Sequence, residues 1–389
     1  MRDDRPAETW SDLRIALAIT VALRVFYSAF AAALSFMLHP SPALIHSNAL
    51  TENLPAPVSW HYALVGVWER FDTLWYLRIA EHGYDQPMAV IFYPLYPAVI
   101  RLASSFLPPT IAALLISSGG AFFFFWGMLR IAGADLSAGS RVRMLALICV
   151  WPTSFILFAG YAESLTGALI VWAVVFARGG RWWQPAVSGF LAGLARPSGV
   201  LVAIPLALLA WKNRRAASIL VLFTPLGTLG YWGWLRWSGR PSVVQAYQVY
   251  QRMPFALPWE GLWLALRMIV HGDAMLTIRL GLIVLAAVFA LRPPARLEDK
   301  LFAVAVILQM FMYSNRPAIG ATRYLLLTYP TFVGWAAYAE RWNRKQFTFY
   351  ASALGFLNLM WMTAFLNLAA NMGTDPKTIR ELLKQRYGQ

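Results

Sequence analysis

The sequence predicts an all-α protein threaded repeatedly through a lipid bilayer, and three observations carry that expectation. Hydrophobic side chains make up 59% of the 389 residues and charged ones only 13%, more apolar surface than a globular core of this size can hide. Runs long enough to cross ~30 Å of hydrocarbon recur along the chain. The 33 Lys and Arg, against 18 Asp and Glu, cluster in short gaps between those runs, as in loops that face anionic lipid. On a soluble domain such a basic excess would suggest nucleic acid; in this placement no nucleic-acid partner is expected.

Taken in order, the amino end "MRDDRPAETWSDLR" holds acidic residues and no apolar core. It reads as retained rather than as a cleaved signal, so the first helix is expected to anchor the protein. Apolar runs follow near residues 14–38, 109–131, 143–159, 164–178, 216–236, 274–292, 300–314, 323–340 and 347–369. The stretch 183–211 is too long for one helix and carries Arg196 and Pro197 at its middle. It predicts two short helices meeting at "RPSG", because proline disfavours helix in the residue before it. That gives about eleven spans in one membrane domain, 1–389, without a repeat of fixed period. The 18 Trp and 16 Tyr suit two interfacial belts. The single Cys149 excludes an internal disulfide.

Orientation follows from summing basic residues over alternate loops. The amino terminus, "RIAGADLSAGSRVR", "RGGR", "KNRR", "LRPPARLEDK" and "ERWNRK" hold about 17 in roughly 50 positions, and the opposite set about 14 in roughly 140. The denser set is expected to be cytoplasmic. The hydrophilic segments 39–108, 237–273 and 314–323, and the carboxyl tail, then lie on the extracytoplasmic or luminal side. That means outside an inner or plasma membrane in a prokaryote, or inside the endoplasmic reticulum in a eukaryote.

The residues that could carry chemistry sit on that side. In "WERFDTLWYLRIAEHGY", Phe71, Leu74, Trp75, Arg78 and Ile79 recur at helical spacing, predicting an amphipathic helix along the membrane surface. Asp72 near its start, among aromatics, is either a general base for a substrate hydroxyl or a helix-start carboxylate meeting the dipole. The following "HGYDQPMAVIFYPLYP" brings His82, Tyr84 and Tyr93 as substrate-site candidates and reads as a rigid aromatic turn. In "WPTSFILFAGYAESLTGAL", Tyr161 stands beside Glu163, a carboxylate in an apolar stretch that is costly unless paired or useful; the alternative is a solvated turn residue. Arg196 has no acid nearby in sequence and would suit an anionic ligand such as phosphate, or else reach to headgroups. Arg316 and Arg323 add two more cations on the same side. No Walker loop, HExxH, GxSxG or thiol pair occurs. The five His show no tight ligand spacing, so no metal site is expected.

These segments resemble a known family. "RFDTLWYLRIAEHGYDQPMAVIFYPLYPAVIRLA" and "WPTSFILFAGYAESL" are similar to motifs of the PIG-V type GPI mannosyltransferase II family, "GFLAGLARPSGVLVAIPLALLA" resembles the helix pair that many GT-C glycosyltransferases carry after them, and "ATRYLLLTYP" resembles a later arginine-containing motif, in that order over about residues 60–330. The resemblance implies a GT-C glycosyltransferase fold with a large first outer loop. It also implies transfer of a sugar, mannose by analogy, from a polyprenyl-phosphate donor to a glycan or glycolipid acceptor. It assigns Asp72 as catalytic base, matches Glu163 to a YxES acid, and puts Arg196, with Arg323 as a weaker match, where donor phosphate binds. No cofactor is required in that scheme. Phe71 stands where Trp is usual and Trp75 where GPI-type members tend to have His. These departures point to a prokaryotic-style relative with another acceptor. The competing reading is a multi-pass transporter or flippase of an anionic lipid-linked substrate, which would be expected to bury charges near the midplane and to show repeated halves. A purely structural membrane subunit would leave the acid and the arginines unexplained.

Overall fold

A computed structural model describes residues 6–38, 59–133, 135–211 and 214–367. The first twenty residues of the 39–108 loop, with His39 and His46, and the tail beyond 367 lie outside the described residues. Among those described, the regular elements are helices, and pairing of strand type is limited to an isolated bridge between Phe255 and Tyr313. In chain order they are α1 (Pro6–Leu38), α2 (Trp60–Leu64), α3 (Asp72–His82), α4 (Leu95–Ala103), α5 (Pro109–Ala132), α6 (Ala138–Val150) and α7 (Glu163–Arg178). Then come α8 (Trp183–Ala195), α9 (Ala203–Ala210), α10 (Arg214–Trp237), α11 (Val243–Val249) and α12 (Pro258–Val270). The chain finishes with α13 (Ala274–Ala290), α14 (Leu297–Gln309), α15 (Ala321–Tyr324), α16 (Tyr329–Ala339) and α17 (Arg344–Asn367).

Stretches within α1, α5, α10 and α17 are long and apolar enough to cross a membrane by length and composition. Much of their apolar surface faces outward: Val25 on α1, Phe123 on α5, Leu222 on α10 and Phe356 on α17 are all exposed. That is the distribution expected where the surrounding solvent is hydrocarbon. The run at 143–159 departs from expectation, because its helix stops at Val150 and the chain continues as a turn and a short 3-10 segment, Ser154–Leu157. Pro152 explains the stop, since it biases Trp151 into extended backbone.

Small residues let the helices approach closely. A Cβ on Gly120 would lie 2.7 Å from Leu165 N, and one on Gly127 would lie 2.8 Å from Val171 Cγ1, so α5 and α7 run parallel in contact. Gly189 meets Thr224 and Gly193 meets Thr228, so α8 and α10 are likewise parallel. For α8 and α10 to run parallel, the chain must return between them; it reverses at Arg196–Val202, where a 3-10 turn begins at Pro197, and comes back along α9. The pair of short helices over 183–211 is therefore present as α8 and α9.

Ion pairs and a hydrogen bond gather the loops at one end of the bundle: Asp12 pairs with Arg141, Arg296 with Asp135 at 3.5 Å and Arg178 with Asp299 at 2.6 Å, while Ser137 donates to Glu340. These are the basic-rich segments of the first loop set. The other end collects the start of α3, the start of α7, the end of α8 and α15.

One expectation fails here. The helix after Phe71 is not an amphipathic surface helix, because Thr73 through Ala80 are all buried. Its faces are covered by the aromatic turn, where Trp75 stacks on Phe92 and Tyr76 packs edge-on against Tyr96. Arg78, the one charged member of the stripe, is itself buried in an ion pair with Asp85 at 2.5 Å.

Candidate functional site

Asp72 is the first residue of α3, and the backbone just before it is unusual. Phe71 has φ 47°, a region that costs a bulky side chain on the order of 1–3 kcal/mol. Tertiary contacts hold it there: its ring packs on Phe365 of α17 at 5.3 Å, and the next amide, that of Asp72, donates to Tyr161 Oη at 3.3 Å. The result turns the Asp72 carboxylate toward α15, where Arg323 Nη1 donates to Oδ2 at 2.7 Å.

From there a chain of opposite charges runs through the site. Arg323 Nη1 lies 3.4 Å from Glu163 Oε1, and the same oxygen lies 2.8 Å from Arg196 Nη1. Glu163 is fully buried and Arg196 nearly so, with 8% of its side chain exposed. The expectation of an Arg196 without an acid partner is thus corrected. Antiparallel α7 and α8 bring the first residue of one beside the residue capping the other, a contact that spans 33 positions of sequence. Two carboxylates and two guanidinium groups balance one another, which offsets the cost of placing them in a low-dielectric interior. Tyr324 fills the angle between the cations, its ring 5.1 Å from the Arg196 guanidinium and 5.9 Å from that of Arg323, while Tyr161 stacks under Arg323 at 5.2 Å.

Three cavities meet around this cluster. A polar one of about 140 Å³ is lined by Asp72, Arg196, Ser198, Arg323 and Tyr324, with Trp75, Tyr76 and Tyr93 among its aromatic walls. Ser198 Oγ is buried in it without a hydrogen-bond partner. Sharing Tyr93, Pro197, Tyr247, Gln309 and Tyr313 with it is a larger, mainly apolar groove of about 840 Å³, walled by Leu201, Leu235, Val243 and Leu308. The phenols of Tyr93, in the aromatic turn before α4, and of Tyr247, in α11, are pushed up by their desolvated surroundings. They stay neutral and available as hydrogen-bond donors. On the far side of the Asp72–Arg323 pair lies a third cavity of about 150 Å³.

Of the residues singled out in the sequence, Asp72, Arg196 and Arg323 line the polar cavity together with Tyr93. Glu163 and Tyr161 back it from behind. Arg316 is exposed in the loop before α15 and lines none of the three cavities. His82 is also exposed, 3.8 Å from Glu81. Tyr84 supports the wall: its hydroxyl donates to Phe92 O at 2.7 Å and its ring packs on Trp234 at 5.3 Å. Sequence reasoning missed Tyr324, Tyr247, Ser198 and Gln309. Tyr324 was signalled by adjacency to Arg323 and Ser198 by "RPSG"; the other two sit in segments without a pattern. Among the described residues no group of three His, Cys, Asp or Glu side chains is arranged to hold a metal ion.

Nothing among known protein families matches the chain, and no curated protein does. Among solved structures the chain is similar to that of ArnT from Cupriavidus metallidurans bound to undecaprenyl phosphate. The TM-score is 0.47 and the identity 14%, over 94% of this chain and 77% of that one.

Proposed function

We propose that this protein is a multi-pass membrane glycosyltransferase of the GT-C type, with about eleven spans. It takes a monosaccharide, mannose by its motif resemblance, from a polyprenyl-phosphate donor and transfers it to an acceptor hydroxyl on the extracytoplasmic or luminal face. The observation that carries the reading is the placement of Asp72 and two guanidinium groups in one polar cavity that adjoins a long apolar groove. A polyprenyl phosphate sugar has those parts in that order: a chain for the groove, a phosphate for Arg196, Ser198 and Arg323, and a sugar for the aromatic walls. The gathering of the denser basic loops at the opposite end supports the sidedness.

In this mechanism the donor phosphate lies against the Arg196 donors not engaged by Glu163. The acceptor hydroxyl donates to Asp72, whose Oδ1 is outside the ion pair with Arg323. As the acceptor oxygen attacks the anomeric carbon, its proton passes to Asp72 and the bond from that carbon to the phosphate oxygen breaks. The electron pair leaves with the lipid phosphate, and the charge developing there is met by guanidinium groups already oriented by Glu163. Attack from the face opposite the phosphate inverts the anomeric centre. Arg316, outside the cavity, takes no part.

The test is a panel of polyprenyl-phosphate sugars offered to purified wild type and to Asp72→Asn. Transfer or release of sugar by the wild type alone is expected. A protein that moves the lipid across vesicles with its sugar intact would be a flippase, and the proposal would fail.

A further inference from the structure

The third cavity holds a charge that the mechanism above does not use. Its walls are Phe71, Asp72, Tyr161 and Arg323 on one side and Trp361 and Phe365 of α17 on the other, and Arg279 of α13 also lines it. Arg279 lies in the second turn of α13, and among the described residues no carboxylate comes within ion-pair distance of it. Arg323, on the same wall, is neutralised twice, by Asp72 and Glu163. Asp273, which caps the start of α13 and accepts from Leu276 N, attracts Arg279 from beyond ion-pair distance. One guanidinium beside this cavity is therefore directly paired and the other is not. An arginine on a spanning helix with no carboxylate in direct contact is costly, and a half-buried one that borders a cavity has an evident way to recover that cost from a ligand.

The position of the cavity indicates which ligand. The Asp72–Arg323 pair is the partition between it and the polar cavity, since Phe71, Asp72, Ile319 and Arg323 line both. A general base in a partition can face the donor's anomeric carbon on one side and receive a hydroxyl from the other. The helices flanking the third cavity also pack on different neighbours, α13 on α16, α14 and α12, and α17 on α6 and α1. The cavity occupies the gap between them.

We infer that this third cavity is the acceptor site, and that Arg279 selects acceptors carrying an anionic group, a phosphate or a carboxylate, close to the hydroxyl that is glycosylated. The inference rests on the glycosyltransferase reading and adds a substrate class to it. Thr153 and Thr322 supply neutral polar contacts in the cavity, while Trp361 and Phe365 give a sugar ring an apolar face to lie against. The fixed guanidinium fork makes the anion the discriminating feature.

The experiment compares two probes, an octyl glycoside and the same glycoside bearing a phosphate ester, for binding to the purified protein in neutral-lipid nanodiscs. Wild type should bind the phosphorylated glycoside at least tenfold more tightly. Arg279→Gln should abolish that preference, Arg279→Lys should keep part of it, and both variants should bind polyprenyl phosphate as wild type does, which also reports that they are folded. Equal binding of the two glycosides by wild type overturns the inference, as does a preference that survives in Arg279→Gln. Inorganic phosphate and nanodiscs containing phosphatidylglycerol separate the sources of the anion. If either displaces the phosphorylated glycoside completely at equal concentration, Arg279 serves a free anion or a headgroup and the acceptor assignment falls. Failure of the enzymatic reading would appear elsewhere, as wild type that neither binds polyprenyl phosphate nor transfers sugar.

Discussion

Replacing Asp72 by Asn isolates the proton-accepting role from the structural one. The amide keeps the volume of the carboxylate and one oxygen in reach of Arg323, whose Nη1 sits 2.7 Å from Oδ2. The lost charge leaves Arg323 still facing Glu163 at 3.4 Å, so no bare guanidinium is created. The Asp72 and Arg323 side chains are 26% and 22% exposed. Both are mostly buried, so loss of the charge costs about 1–2 kcal/mol, limited by the hydrogen bond that the amide oxygen retains and by Glu163. The chemical cost is far larger. A positioned general base accounts for ~10²–10⁴-fold in rate, equivalent to about 3–5 kcal/mol of barrier at 1.36 kcal/mol per tenfold. The variant should therefore fold, melt within a few degrees of wild type and bind polyprenyl phosphate normally, while transfer falls by at least about a hundredfold. Asp72→Glu, which displaces the oxygens by roughly one bond length, should lose a comparable factor through misplacement alone. The assay is transfer of a radiolabelled sugar from the donor, paired with thermal denaturation and lipid binding on the same preparations. Transfer by Asp72→Asn within tenfold of wild type would refute the reasoning.

Three other predictions test the frame around that residue. Glu163→Gln leaves the buried Arg196 without its counter-ion and should destabilise the protein by about 3–5 kcal/mol, read as a large drop in the detergent unfolding midpoint; an unchanged midpoint would mean that the pair is not structural. Gly160→Val places a Cβ 2.5 Å from Thr73 Cγ2, so α3 must shift at its first turn, costing about 1–3 kcal/mol and lowering kcat more than it weakens donor binding; normal kcat would separate Gly160 from the placement of Asp72. In a Cys149→Ser background, single cysteines at His82 and at Arg341, both exposed, should label with an impermeant maleimide from opposite faces of sealed vesicles, His82 from the outer or luminal one. Labelling from a common face would overturn the sidedness on which the proposed reaction rests.

The helices show how much was legible in one dimension. α1, α5, α10 and α17 follow from unbroken apolar runs, since hydrocarbon leaves the backbone few alternatives to helix. The reversal at Arg196–Pro197 follows as directly, because a proline restricts the residue before it whatever the tertiary context. The buried state of α3 was not legible. Phe71, Leu74, Trp75 and Ile79 specify an apolar stripe, but whether the other faces meet water or protein depends on the aromatic turn folding back over Trp75 and Tyr76, a contact that no local periodicity encodes.

The same division holds at the site. Residue types and loop charge were enough to nominate Asp72, Glu163, Arg196 and Arg323, because ionisable groups are costly in an apolar chain and few are present. The sequence could not say that Arg196 is paired, that Arg316 and His82 stand apart, or that Arg279 borders a cavity. Those facts depend on helix direction and rotation, which close approaches help to set: Gly120 and Gly127 between α5 and α7, Gly189 and Gly193 between α8 and α10, and Gly334 of α16 against Phe289 of α13. Composition determined the solvent and the chemical inventory; packing decided which charges meet, because ion pairing acts over a few ångströms in space and is indifferent to distance along the chain.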